Sequence, residues 1–333
     1  MASDAGVKAG VGGCGPGAVA AAIWSSTASG GHTRCLACWL RRAGGLAPGA
    51  TVLVWLWRRV SKNQVVGEWD TERVLSGRLG LVADPYHGLA ADYDWIFDDG
   101  ALAGGAAINR PATARLLQRI GPASAVLDAA CGTGIDAAVL ARRGFNVRAA
   151  DGSEAMVEVA AARFRREGLA IPVQHCLWAD LPAAIDERFD VVLCTGNALV
   201  HAVGHDAMVQ ALIGLRRMAR PGGHVVIDSR NWEKLHAERR IVQVMDRVKM
   251  RGGRRCVVLY AWEVPDRLDE EHIAHLVFLF EDGERIEPHE YRLSFRPCTL
   301  GELRERLELA GLQEVDTDYG EAVDRYAVIA VAA

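Results

Sequence analysis

The stretch VLDAACGTG at 126–134 constrains the fold of this chain more than any other. A short apolar run passes into a turn with two glycines and then into a helix-like segment near 135–143. Gly132 and Gly134 allow backbone conformations and a close ligand approach that a Cβ would obstruct. The same rhythm continues downstream, with strand-like runs at Ala125–Ala129, Asn146–Ala150, Val173–Cys176, Asp190–Cys194 and His224–Asp228. Helix-like segments near 110–120, 153–167 and 206–219 lie before and between them. Apolar strands alternating with amphipathic helices predict an α/β fold, a doubly wound and mostly parallel seven-stranded Rossmann-like sheet covered on both faces.

Residues 241–297 break the rhythm. Runs such as Cys256–Tyr260 and Ile273–Phe280, the second followed by EDGE, read as an antiparallel β insertion laid over the mouth of the sheet. A helix from Thr299 to Ala310, ended by Gly311, and a last strand near Tyr326–Val331 return to the core. The expected organisation is therefore a Gly/Ala-rich leader over 1–80 and a catalytic domain over 81–333. Within that domain we expect a cofactor-binding core at 120–230, the substrate-covering insertion at 241–297 and C-terminal helix and strands at 299–333.

The leader holds five of the nine tryptophans and shows poor periodicity, so we expect weak order there. A secretory reading of 18–24 is disfavoured, since Lys8 is the only basic residue before it. Cys35 and Cys38 have CxxC spacing, but no second pair or histidine cluster completes a tetrahedral metal site. The eight cysteines show no repeated spacing and suit reduced thiols in a cytoplasmic protein. The apolar run Thr51–Trp57 is far short of the roughly 20 residues that a membrane helix needs. A net charge of -4 provides no basic field for a phosphate backbone, which excludes nucleic acid as the expected substrate.

The chemistry centres on adenosine. Asp151 follows Gly132 by 19 positions, at the end of the next strand, where a carboxylate can accept hydrogen bonds from a ribose diol. GTGIDA also satisfies the dinucleotide pattern G-x-G-x-x-A, so a nicotinamide enzyme is the rival reading. Asp128 argues against it, because a carboxylate at that strand end attracts the amino group of a methionine tail and repels a pyrophosphate. Trp178, which can cover an adenine face, and the turn RPGG at 220–223 point the same way. Arg230 follows a strand ending in Asp228, so it projects at the carboxyl end of the sheet, where a guanidinium suits a carboxylate in a forked pair. A salt bridge to Glu233 is the plainer alternative for it.

At VLDAACGTG, GFNVRAADGSEAM (144–156), LCTGNALVHA (193–202), RPGGHVVIDSRNW (220–232) and YRLSFRPCTLGELRERLELAGL (291–312), the chain resembles the glycine N-methyltransferases and the related bacterial glycine and sarcosine methyltransferases, a class I methyltransferase family. The resemblance covers about 85–330. It implies S-adenosyl-L-methionine as cofactor, contacted by Ala130, Gly132, Asp151, Leu177, Trp178, Thr195 and His201, with Trp95 capping the adenosine and Asn197 and Arg230 holding an acceptor carboxylate. The implied reaction is N-methylation of glycine, sarcosine or a similar small amino acid. Methylation of another small acid or secondary metabolite is the alternative, with a catalytically idle cofactor-binding scaffold as a third reading. A homo-oligomer is implied by the resemblance alone. The chain departs from the family in having only six tyrosines, with Phe278 and Phe295 as apparent partners in the insertion, and in having Leu177 where a polar side chain meets the adenine.

Overall fold

The computed structural model describes residues 84–239, 242–245, 247–283 and 285–332. The leader over 1–80, the secretory reading of 18–24 and the Cys35/Cys38 pair lie outside the described residues. In chain order the strands are β1 (Ala125–Asp128), β2 (Asn146–Asp151), β3 (Val173–His175), β4 (Phe189–Cys194), β5 (Ala219–Arg230) and β6 (Val242–Val244). They continue with β7 (Lys249–Arg251), β8 (Arg254–Glu263), β9 (His272–Asp282), β10 (Arg285–Phe295), β11 (Leu312–Thr317) and β12 (Arg325–Ala332). The helices are α1 (Asp99–Gly104), α2 (Pro111–Ile120), α3 (Ile135–Arg142), α4 (Glu154–Arg166), α5 (Leu181–Ala184), α6 (His205–Met218), α7 (Trp232–Glu238) and α8 (Leu300–Leu309).

A seven-stranded sheet runs β11-β12-β5-β4-β1-β2-β3. Its five central and β3-side strands are parallel, while β12 pairs antiparallel with β5 and β11 antiparallel with β12. Val191, Val192 and Leu193 in β4 and Val225, Val226 and Ile227 in β5 are all buried, the continuous apolar pattern of strands covered on both faces. Successive residues feed opposite layers. Leu127, Val192 and Ile227 pack with Met208, Leu212 and Leu215 of α6 and with Leu303 and Leu307 of α8. Val126, Val191 and Val226 pack instead with Leu116 and Leu117 of α2, Leu140 of α3 and Phe164 of α4. The helices start where the chemistry of their caps directs: Ser153 accepts from the Met156 N–H, and Thr299 with Glu302 forms a capping box.

The insertion is the antiparallel array β10-β9-β8-β6, with β7 also paired to β8. The turn expected at EDGE joins β9 to β10, and Gly283 takes φ +56 there. Strand β10 was not anticipated, because RIEPHEYRLSF mixes charges with a proline. Its place at the edge of the array explains why Pro288 is tolerated. Cys256, Val258, Tyr260 and Trp262 alternate along one face of β8 and form an apolar cluster with Leu276, Phe278 and Phe280 of β9. Leu89, Val200 and Trp232 complete that cluster, so the insertion closes onto the ends of β4 and β5 where the carboxyl-end loops begin.

Candidate cofactor and acceptor site

Beyond Asp128 the chain crosses from β1 to α3 through the two glycines, both in the left-handed region, Gly132 at φ +52 and Gly134 at φ +81. They serve different ends. A Cβ on Gly134 would stand 2.7 Å from the Phe164 ring, so this glycine lets α4 pack close. A Cβ on Gly132 would meet nothing nearer than Cε1 of Tyr93 at 3.8 Å, so Gly132 keeps a face open to a ligand. The expectation of close ligand approach thus narrows to Gly132.

Asp151 closes β2. Its Oδ2 accepts the Gly132 N–H at 2.8 Å and its Oδ1 the Ser153 N–H at 2.9 Å. Burial pushes this carboxyl upward and those two N–H groups pull it back. Each oxygen keeps further acceptor capacity for a diol. Asp128 is 1 % exposed, and its Oδ1 has no hydrogen-bond partner. Burial raises it well above the usual carboxylate range, with Asp136 adding to the effect. An unmatched buried acceptor costs on the order of 1–3 kcal/mol, and a ligand cation with N–H donors removes that cost.

Leu177 is exposed beside Gly152 and offers an apolar face. Trp178 is committed differently from the expectation of an adenine cover: its Nε1 donates to the Ala129 carbonyl at 2.7 Å and its ring packs on the core cluster that also takes in Ala130. Thr195 is buried just after β4. Trp95 packs its ring edge-on to Phe280, with the Arg251 guanidinium 5.1 Å away, so it belongs to the insertion's aromatic cluster. Tyr93 is the strap residue nearest Gly132.

That strap, 84–98, is held from both sides. Asp94 accepts from Thr133 Oγ1 at 2.7 Å and pairs with Arg163, whose Nε donates to the Thr133 carbonyl. From the insertion, Arg251 donates to the Asp94 and Phe97 carbonyls at 2.7 Å each, and Lys249 donates to the Trp95 carbonyl. Tyr291 donates to Asp92 at 2.8 Å. Tyr86 Oη lies 2.7 Å from Nε2 of His201. Burial lowers His201 to about 4, against an opposing backbone hydrogen bond at Ser294, so the ring is neutral near pH 7 and shares a hydrogen bond with the tyrosine hydroxyl.

At the acceptor end, Gly196 and Asn197 take φ +73 and +67 and turn the chain after β4. Asn197 Oδ1 accepts from the Arg230 N–H and from Trp232 Nε1, both at 3.0 Å, which commits the oxygen to structure and leaves the amide NH₂ as its free donor among the described residues. The Arg230 guanidinium lies 5.6 Å from the Tyr260 ring and 5.2 Å from the Trp262 ring. It forms no ion pair among the described residues, and the alternative bridge to Glu233 is absent there; Glu233 instead accepts from the Leu300 N–H. Burial lowers its pKa, and Arg325 adds to that. Tyr86, Tyr93 and Tyr260, three of the six tyrosines, gather in this region. Phe278 and Phe295 are buried in the insertion's core. Sequence reasoning missed Tyr86, Tyr93, Tyr260, Trp262, Arg110 and Arg325; the alternation 256, 258, 260, 262 on β8 is the one local signal for two of them.

No cluster of metal-ligating side chains occurs among the described residues, and no helix among them is long and apolar enough to cross a membrane. The five described cysteines, Cys131, Cys176, Cys194, Cys256 and Cys298, are buried free thiols.

The seven-stranded sheet, parallel apart from β12 and β11 at one edge, is the fold of the class I methyltransferases. Residues 126–223 match the family described as Methyltransferase domain. The glycine/sarcosine N-methyltransferase of Parasynechococcus marenigrum (strain WH8102) is 28 % identical over 207 residues, covering 62 % of this chain and 68 % of that protein. The glycine N-methyltransferase of Rattus norvegicus is 36 % identical over 121 residues, covering 32 % of this chain. The chain spans about two fifths (41 %) of the length of that rat relative, and a similar share of several other curated relatives. A solved S-adenosylmethionine-dependent methyltransferase from Clostridium acetobutylicum ATCC 824 superposes with a TM-score of 0.57 at 18 % identity, covering 74 % of this chain and 98 % of that one, and it shows the shared fold. S-adenosylmethionine is the cofactor of the class. The residues present fit it: an orphaned buried acceptor on Asp128, an open face at Gly132, acceptor capacity on Asp151 and an exposed apolar side chain at Leu177.

Proposed function

We propose that this protein transfers a methyl group from S-adenosylmethionine to the amine of glycine, sarcosine or a similar small amino acid. The observation that carries the reading is Arg230, a partly buried guanidinium beside the Tyr260 and Trp262 rings at the carboxyl end of β5, with no carboxylate of its own among the described residues. A guanidinium so placed clasps an acceptor carboxylate through two parallel N–H bonds, and the Asn197 NH₂ adds a donor beside it. The likeness to a glycine/sarcosine N-methyltransferase and a glycine N-methyltransferase supports a small amino-acid acceptor.

On the cofactor side, Asp128 would hold the methionine amino group, Asp151 the ribose, and the backbone at Ala130 and Gly132 the tail. Leu177 and Trp178 would border the adenine, with Thr195, His201 and Trp95 as further contacts. When bound, the cofactor supplies an electrophilic methyl on a sulfonium, and its transfer is an in-line displacement. The protein's own tasks are orientation and exclusion of water. Tyr86 and Tyr93 with the insertion shut out water, and Arg230 aims the acceptor. His201 is a poor base, because its Nε2 is already engaged by the Tyr86 hydroxyl and burial keeps its pKa near 4. The acceptor amine therefore arrives already neutral. Turnover of methyl-labelled cofactor against a panel of small amines and acids tests the proposal. Labelling of amino acids but not of their carboxamides supports it, and equal labelling of both refutes it.

A further inference from the structure

Arg325 and Arg230 are register partners where β12 crosses the end of β5. Directly opposed residues of an antiparallel pair project to one face with Cβ atoms about 5 Å apart, and like charges there repel. Arg110 joins them from the start of α2. Its Nε lies 2.9 Å from Asp228 Oδ2, while Arg325 Nη2 lies 2.7 Å from Asp228 Oδ1. Both oxygens of Asp228 are thus engaged by Arg110 and Arg325, and Arg230, which has no ion pair among the described residues, stands beside them as a third guanidinium. Asp136, which lies near Asp228, is committed to the N–H groups of Ala106 and Ala107. Arg325 also holds a buried Nε with no partner. Tyr93 and Tyr260, the polar side chains beside both Arg230 and Arg325, bring no charge to offset them. A single acceptor carboxylate on Arg230 still leaves three guanidiniums against two carboxylates, with the Arg325 Nε unpartnered.

We propose that Arg325 is a second anion-recognising residue of the acceptor site, so that the preferred acceptor is a small amine with two anionic groups, of the amino dicarboxylic acid class. This rests on the methyl-transfer reading above and narrows its substrate. The rival source of the second negative charge is the cofactor's own carboxylate, and the experiment separates the two.

The full-length protein is saturated with S-adenosylhomocysteine and titrated with L-aspartate and with L-asparagine, its neutral-headed isostere, following tryptophan fluorescence, since Trp262 stands 5.2 Å from Arg230. The wild type should bind aspartate at least about tenfold tighter than asparagine, the scale of one charge-assisted pair. Arg325→Gln should bring that ratio within about twofold with S-adenosylhomocysteine affinity unchanged, while Arg325→Lys keeps part of the preference. Equal binding of aspartate and asparagine by the wild type overturns the inference without recourse to any variant. So does an Arg325→Gln protein that keeps the preference but loses cofactor affinity. An aspartate preference in binding with no methyl transfer to any amino acid would instead sink the methyl-transfer reading and leave the second anion site standing.

Discussion

The hydroxyl of Tyr86 stands 2.7 Å from Nε2 of His201, a hydrogen bond that joins the strap to the short turn after β4. Burial depresses the folded-state pKa of His201 from 6.5 to about 4. Between those values the unfolded chain binds a proton that the folded chain refuses. The histidine's share of stability is therefore full above pH 6.5 and lost as pH falls toward 4, by roughly 2–3 kcal/mol. An NMR titration of the His201 ring should show no midpoint above about 5. A midpoint near its ordinary value would contradict the buried, neutral ring.

The two glycines of the cofactor turn should part company on substitution. Gly134→Ala drives a Cβ to 2.7 Å from Phe164 and 3.1 Å from the Ala160 Cβ at φ +81, and should cost about 2–4 kcal/mol of stability. Gly132→Ala meets only left-handed strain, about 1 kcal/mol, yet should weaken cofactor binding by about tenfold or more. Denaturant unfolding of the ligand-free variants and calorimetry with cofactor decide the matter, and equal losses of stability would be the wrong result.

Asp151→Ala removes the carboxylate that the Gly132 and Ser153 N–H groups orient. Affinity for S-adenosylmethionine should fall by on the order of 2 kcal/mol, the scale of hydrogen bonds to a charged group. Unchanged affinity by calorimetry would remove Asp151 from the cofactor site.

Arg230→Ala should cost roughly 2–5 kcal/mol of acceptor or transition-state binding and leave cofactor affinity nearly still. Arg230→Lys should recover only part, because a point charge cannot reproduce a planar two-bond clasp. The reading is wrong if kcat/KM with the best acceptor survives the alanine variant, or if the variant loses cofactor instead.

Much of the cofactor half was legible in the sequence because its signals are local. Continuous apolar runs mark strands buried on both faces, and the expected β1 and β4 differ from the observed ones by a single residue at one end. Thr299 and Ala310, read as helix ends, are the caps of α8. The acceptor half was less legible. Tyr260 and Trp262 look like ordinary core positions on a strand. Arg325 reaches the site only through the register of β12 on β5, which places it against Asp228, 97 positions earlier. Strand β11 was not read either, since LQEVDT is polar and pairs only at the sheet's edge. Gly134 shared its spacing with Gly132, and the difference between them lies in Phe164, which no local pattern connects to the turn.

The double grip on the strap also sets a timetable for synthesis. Trp95 and Asp94 find their partners in Lys249 and Arg251, 154 and 157 positions downstream, and Asp92 finds Tyr291 at 199. Translation at about 5–20 residues per second separates the two halves of each contact by roughly ten to forty seconds, and the intervening loop must then close against its entropy. A nascent chain halted before β7 would carry the glycine turn, Asp128 and Asp151, and yet nothing from the insertion to fasten the strap over them. The strap leaves the ribosome ahead of the cofactor turn, yet its anchorage waits for the insertion.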